Sequence, residues 1–430
     1  WDMNSAKRII KKLILELTSV GIFILLMFPT SLLADHFRYG TMSWDLVDND
    51  TIRFKQSNGW TNTNGSYNEL SDFELKQVTG FVGSIDDRYD ITWGGGSGDA
   101  TTSMHHKILS RSDASGSTIT EVGNYDNSSG QDLWTLGITR DYDNGSYIAY
   151  WNGNDREDVE NSANGVNWRN EMLIRIGGDY IGNVSPVSAV PPIVQVQDNT
   201  TFSYQVISTD ANGDSLHYRW GQNNEFFVKD GTGSTNDFVM PTGMSLSTSG
   251  LINWDVRDSV LADNAVLDNG TTITNGGKKD AMWLALMMVE DKDSSGNSKS
   301  YIPLDFFFKL TDPDNDPPEI FGLPTTTQTV TIGTTKTFTI TSTDDSGVAP
   351  TVSVLNPPSD NSSIWSTTTS TSGSITTFTI NFSPVSSMDN STYAVNIRST
   401  DNASMTKDQS LGLKVSSVSN ADPTAPILLS

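Results

Sequence analysis

The chain has no cysteine and only four histidines, and its 27 Lys and Arg stand against 51 Asp and Glu. Without a thiol there is no disulfide framework, thiolate nucleophile, iron–sulfur cluster or cysteine-based zinc site. The shortage of cations excludes a nucleic-acid backbone as partner, because neutralising phosphates needs clustered Lys and Arg. Catalytic signatures are scarce too. There is no Gly-x-Ser-x-Gly elbow, and Gly94-Gly95-Gly96-Ser97-Gly98 lacks the lysine of a phosphate-binding loop. His105 and His106 are adjacent, so on a strand they point to opposite faces and cannot chelate one ion together. Asp86, Asp87 and Asp90 beside Arg88 offer carboxylates of the kind glycoside hydrolysis uses, but a surface turn accounts for the same run.

Charged residues make up 18% of the 430 positions and hydrophobic residues 36%. Both lie below the usual averages of about 25% and about 45–50%. Gly, Ser, Thr, Asn and Asp fill the difference, as expected for turns and solvated strand faces. The 11 Trp, 12 Tyr and 17 Phe supply ample material for packed cores. At roughly 100–200 residues per domain, the length implies two to four domains.

Residues 1–34 read as a secretory signal peptide, with Met3 the expected start. Lys7, Arg8, Lys11 and Lys12 form a basic opening, positions 17–28 are largely apolar, and Leu32-Leu33-Ala34 offers a cleavage point. An uncleaved anchor is the alternative, but 17–28 is too short for a hydrocarbon core of about 30 Å. No cysteine follows to carry a lipid. Cleavage removes four basic and two acidic residues, so the exported chain is more acidic than the precursor. No second long apolar run follows, and a soluble mature chain without a membrane span is expected.

After residue 35 the pattern is short alternating segments bounded by Gly, Asn, Asp and Pro, the mark of half-buried antiparallel strands. Thr51-Ile52-Arg53-Phe54-Lys55, Thr201-Phe202-Ser203-Tyr204-Gln205-Val206 and Thr337-Phe338-Thr339-Ile340-Thr341 are examples. Regular recurrence of such strands predicts an all-β chain of tandem β-sandwiches. Pro191-Pro192-Ile193, Pro317-Pro318-Glu319-Ile320 and Pro423-Thr424-Ala425-Pro426-Ile427 punctuate it at sandwich-sized intervals. Two units share one order of strands and acidic turns. Val206-Ile207-Ser208-Thr209-Asp210 answers Ile340-Thr341-Ser342-Thr343-Asp344, and Val289-Glu290-Asp291 answers Arg398-Ser399-Thr400-Asp401. The expected units are an aromatic-rich β domain at 35–186, sandwiches at 187–316 and 317–420, and the start of a further, truncated repeat at 421–430.

The stretch from Ser208-Thr209-Asp210-Ala211-Asn212-Gly213-Asp214 through Met240-Pro241-Thr242-Gly243-Met244 to Ser249-Gly250-Leu251-Ile252-Asn253-Trp254 resembles the cadherin-like and immunoglobulin-like repeats of surface proteins. The resemblance covers most of 187–316, more loosely 317–420, and not 35–186. Asp312-Pro313-Asp314-Asn315-Asp316-Pro317-Pro318 is similar to a cadherin interdomain linker with Asp and Asn exchanged. That resemblance implies calcium, a hard cation taking six to eight oxygen ligands, at Asp312, Asp314, Asn315 and Asp316, with Asp344 from the next repeat. The Asp210, Asn212 and Asp214 turn is a second calcium candidate, although Asn-Gly and Asp turns need no metal. Asp141-Tyr142-Asp143-Asn144-Gly145-Ser146 lacks the closing Glu of an EF-hand and reads as a hairpin turn.

Residues 35–186 hold Trp44, Trp60, Trp93, Trp134, Trp151 and Trp168. Alternation such as Tyr147-Ile148-Ala149-Tyr150-Trp151 is how a strand feeds a core, so most of these are expected inside. Trp60 after Asn58-Gly59 and Trp93 before Gly94 read as turn residues, and are the candidates for an exposed ligand-binding face. The sequence thus predicts a secreted or cell-surface, non-enzymatic adhesion or stalk protein with a calcium-stiffened joint, whose partner is a cell-surface protein or a polysaccharide. The rival is a glycan-binding module of a larger polysaccharide-processing protein.

Overall fold

In the computed structural model, the described residues are 37–46, 51–61, 75–77, 91–92, 105–112, 117–123, 138–141, 145–153, 156–157, 159–162, 168–226, 239–241, 243–257, 280–311, 314–359 and 361–417. The signal-peptide expectation for 1–34 and the truncated repeat at 421–430 lie outside them. The architecture is all-β, as the alternation predicts.

Among the described residues, nine strands come from the first part of the chain: β1 (Phe37–Leu46), β2 (Thr51–Thr61), β3 (Leu75–Gln77), β4 (Ile91–Thr92), β5 (His105–Ser112), β6 (Ser117–Gly123), β7 (Ile138–Asp141), β8 (Gly145–Gly153) and β9 (Trp168–Ile176). The middle region adds β10 (Val187–Ser188), β11 (Ile193–Gln197), β12 (Thr201–Gln205), β13 (Ser208–Thr209), β14 (Ser215–Trp220), the short helix α1 (Asn223–Phe226), β15 (Met244–Leu246), β16 (Leu251–Asp255), β17 (Met282–Lys292) and β18 (Ser298–Thr311).

β18 organises both regions. β17 pairs antiparallel along one of its edges, from Met282 against Lys309 to Lys292 against Ser298. The opposite edge is shared in turn by β9 at Tyr301, by β1 at Leu304 and Asp305, and by β11, parallel, from Phe307 to Thr311. The wings β1-β2-β6-β5-β3 and β9-β8-β4 therefore belong to the same sheet as the middle strands. A three-stranded sheet, β12-β16-β15, closes the middle sandwich over one face of β17 and β18.

Strict alternation sorts β17 between two cores. Trp283, Ala285, Met287 and Val289 enter the sandwich interior with Trp254, Ile302, Phe306 and Phe308. Leu284, Leu286 and Met288 face the other way, onto Val159, Ile193, Phe226 and Phe307. Covered on both faces, β17 is buried from Trp283 to Asp291, and its sequence is a continuous apolar run rather than an alternating one. The segment covering the second face carries Arg156. Its guanidinium forms a bidentate pair with Asp305 at 2.6 and 2.7 Å, both side chains fully buried. In the N-terminal wings the expected aromatic core is present, with Trp44 and Trp168 buried and Phe37 stacked on Trp168 at 3.8 Å.

The last region is a two-layer sandwich. Its strands are β19 (Glu319–Phe321), β20 (Gln328–Thr331), β21 (Lys336–Thr343), β22 (Thr351–Val354), β23 (Trp365–Ser372), β24 (Ile375–Phe382), β25 (Thr392–Thr400) and β26 (Thr406–Ser416). Sheet β19-β21-β24-β23 packs on sheet β20-β26-β25-β22 around Phe338, Ile340, Phe378, Ile380, Phe382, Val395 and Leu411. Polar contacts tie it to the middle sandwich. Gln195 Oε1 accepts from the Thr406 amide at 2.8 Å, Ser410 Oγ donates to the Ala189 carbonyl at 3.1 Å, and Lys414 Nζ donates to the Ala211 carbonyl at 2.7 Å.

Two local expectations are corrected. Trp60 lies within strand β2, opposite Thr118 of β6, not in a turn, because its neighbours on both sides supply ladder partners. The connection after Asp141 is not a hairpin: β7 pairs with β2, whereas β8 pairs with β9.

Candidate metal centre

The turn between β13 and β14 is built by its own side chains. Gly213 adopts φ 83, a left-handed conformation that suits glycine. Asp210 Oδ1 accepts the Asp214 amide at 2.9 Å, which curls the two carboxylates toward one side. Asn212 faces elsewhere: its Oδ1 accepts the Val184 amide at 2.9 Å and its Nδ2 donates to the Gly182 carbonyl at 2.8 Å. It thus fastens the 182–184 loop, which carries Asn183, to the turn.

Asp291, near the end of β17, completes the group. Carboxylate oxygens of Asp210, Asp214 and Asp291 all lie within 4.8 Å of one another. Asp291 Oδ1 accepts from the Ser300 amide at 2.5 Å and from Ser300 Oγ at 2.6 Å. Its Oδ2 and Asp210 Oδ2 are buried without a well-formed hydrogen bond, and the buried Asn183 amide lies against Asp291, close enough to lower its carboxyl without closing a bond of good geometry. Asn183 is 1% exposed and Asp291 0%. Unsatisfied buried polar atoms of this kind are uncommon and costly.

The electrostatics agree. Burial pushes the Asp291 carboxyl up to about 6, with the Asp210 charge adding to the rise and the Ser300 bonds opposing it. Burial likewise raises Asp210, against the bond from the Asp214 amide. Among the described residues, Lys299, whose ammonium contacts Asp214, brings a positive charge to the group. An ion with oxygen ligands at 2.3–2.6 Å holds them within about 5 Å of each other, which this spacing meets. All-oxygen donors and a net negative site suit a hard cation such as calcium.

Two residues of the 312–316 segment bond to other parts of the chain. Asp312 lies outside the described residues. Asn315 Nδ2 donates to Asp401 Oδ2 at 2.7 Å, and Asp316 Oδ1 accepts from Gln197 Nε2 at 2.5 Å. Asp316 and Asp344 do reach one cleft of about 790 Å³ between the middle and last sandwiches, with Glu319, Asp345 and Lys407 on its walls. Asp314 precedes this cleft and is not among its lining residues. Trp93 and the side chain of Trp60 lie outside the described residues. Sequence reasoning missed Asp291 and Asn183 as candidate ligands. For Asp291 the signal was available, since Val289-Glu290-Asp291 marks the repeat; nothing in the sequence singles out Asn183.

No family model matches the sequence, and no curated protein does. Among solved structures the chain is similar to the GspB Siglec domain, at 16% identity and TM-score 0.21, covering 24% of this chain and 60% of that one. It is similar to titin domains z1z2 in complex with telethonin at 12% identity and TM-score 0.19, covering 54% and 97%. Protocadherin Gamma B2 extracellular cadherin domains 3-6 give 16% identity and TM-score 0.19, covering 54% and 46%. The sandwich architecture rests on the strand pairings and cores described above. Among the described residues no helix is long and apolar enough to cross a membrane.

Proposed function

We propose that this chain is an exported, non-enzymatic adhesion or structural protein of the cell surface, which holds a binding partner at a fixed distance. The partner is a cell-surface protein or a polysaccharide. The observation carrying this reading is the way successive units are fused. β18 serves the N-terminal wings and the middle sandwich at once, and Gln195, Ala189 and Ala211 bond the middle sandwich to the last. The shared sheet suits a stiff spacer at the first joint, and the bonds at the second restrain the motion that is otherwise the default between domains.

Calcium enters as a clamp at Asp210, Asp214 and Asp291, with Asn183 as a fourth donor. Such an ion would tie the 182–184 loop to β17 and to the β13–β14 turn. The rival glycan-binding reading rests on Trp60 and Trp93, whose side chains are outside the described residues.

Two measurements test the proposal. Protease added to intact producing cells should digest the protein, and deleting the gene should reduce attachment of those cells to a surface or to one another. Protection until lysis, with attachment unchanged, would sink the surface reading. Calcium should raise the melting temperature of the purified chain, and chelator should reverse the shift. An unchanged melt would sink the clamp alone.

A further inference from the structure

The rim of the last sandwich differs from the rest of this acidic chain. Residues 361–388 include no charged side chain, in a protein of formal net charge −24. Within that stretch β23 is the outermost strand of its sheet, paired to β24 on one edge. Thr367, Thr369 and Thr371 lie opposite Ile380, Phe378 and Thr376, so they point to the side on which those residues are buried. Yet every residue from Thr367 to Ser372 is exposed. Among the described residues nothing pairs with its outer edge, so β23 overhangs the core, open on both faces and along that edge.

An open edge is a row of unpaired N–H and C=O groups, and proteins guard such edges with lysine, proline or a bulge. β23 has none of these guards. Its register with β24 runs unbroken from Trp365 to Ser372. Its residues Ser366-Thr367-Thr368-Thr369-Ser370-Thr371-Ser372 carry only small hydroxylated side chains, and threonine favours the extended form. The hairpin turn at Gly373, φ 61, lies beyond the strand and leaves its outer edge clear.

We propose that β23 pairs with β23 of a second copy of this chain, antiparallel, about a two-fold axis at Thr369. The strand is self-complementary about that residue: Thr368 meets Ser370, Thr367 meets Thr371, and Ser366 meets Ser372. Hydroxyl faces hydroxyl at each position, an arrangement favourable across antiparallel strands. The same patch serves both copies, as a closed two-fold dimer requires. Length and charge together select this edge: other uncharged edges, such as β12, β15, β20 and β22, are five residues or shorter. Two copies of so acidic a chain repel over most of their surface, whereas this uncharged rim allows backbone to approach backbone. The result is one sheet continuing across both sandwiches, a form of strand addition. The contact does not depend on the calcium clamp, and it supplies self-recognition for an adhesive protein.

Sedimentation equilibrium of the full chain over a concentration series tests it. The parent chain should show a reversible monomer–dimer equilibrium. Thr369→Lys and Thr369→Glu each put like charges side by side on the axis, and each should weaken self-association by about tenfold or more. Both sit at an exposed position, and matching circular dichroism melts verify folding. An equimolar mixture of the two variants should dimerise again, because Lys then meets Glu. A parent chain that stays monomeric up to its solubility limit overturns the proposal, as does a dimer indifferent to both variants. Sugars found on residues 366–372 of the protein from its own cells also overturn it, since they would occupy the same edge.

Discussion

The middle and last sandwiches spend similar residues differently. In the last one, β24 alternates strictly between exposed or half-buried positions and buried ones, because only one face meets a core. In the middle one, β17 is buried over nearly its whole length, because the Arg156 segment and α1 cover the face that would otherwise meet water. Each has a buried Arg–Asp fork. Arg398 and Asp408 bridge neighbouring strands β25 and β26 at 2.8 and 2.9 Å, whereas Arg156 and Asp305 join segments far apart in sequence. The last sandwich is thus a self-contained repeat, and the middle one has become a hub on which another region depends.

Breaking the hub fork gives the largest expected effect. Arg156→Met leaves the buried Asp305 carboxyl without its counter-charge, and should cost about 3–5 kcal/mol. Urea unfolding of the full chain reads this, and pairing the change with Asp305→Leu should restore part of the loss. Next comes the second core of β17. Leu286→Ala should cost about 2–5 kcal/mol, whereas Thr377→Ala on the solvated face of β24 should stay within about 0.5 kcal/mol. Equal costs at the two sites would erase the contrast between hub and repeat.

The carboxylate cluster should respond in opposite directions to one change. With chelator, Asp291→Asn removes a buried charge that burial and Asp210 disfavour, so the melting temperature should rise. With calcium at about a hundred times its dissociation constant, the parent chain should gain about 2.7 kcal/mol, and the variant should lose that gain. Thermal melts in the two buffers provide the crossing. The smallest effect belongs to the last sandwich's counterpart. Asp401 occupies the place in the repeat that Asp291 holds, but it accepts bonds from Asn315 and from the Ala403 and Met405 amides. Asn315→Ala should therefore cost about 1 kcal/mol, with no dependence on calcium.

Strand identity was legible because side-chain alternation is local. Thr337-Phe338-Thr339-Ile340-Thr341 announces β21, and Thr201-Phe202-Ser203-Tyr204 announces β12, without reference to any partner. Pairing was not legible. Nothing near Gly40 points to Asp305, since a ladder is a bond between backbones that leaves no mark on either sequence. Trp60 was misplaced for the same reason: Asn58-Gly59 signals a turn locally, and the flanking strands β1 and β6 override it. At the candidate centre, the Asp210 and Asp214 half was visible because a turn brings it together within five positions. Asp291 and Asn183 arrive from distant segments, and only the folded sheet brings them near.

The place of β18 also has a consequence in time. A ribosome or an export pore releases residues in order, so β1 and β9 appear long before Ser298 and Thr311 complete the strand they both need. Until then their edges stay open and adhesive toward any extended chain nearby. Synthesis of the first wings therefore creates a waiting period that ends only when β18 arrives. A chaperone, or rapid synthesis, would cover that interval.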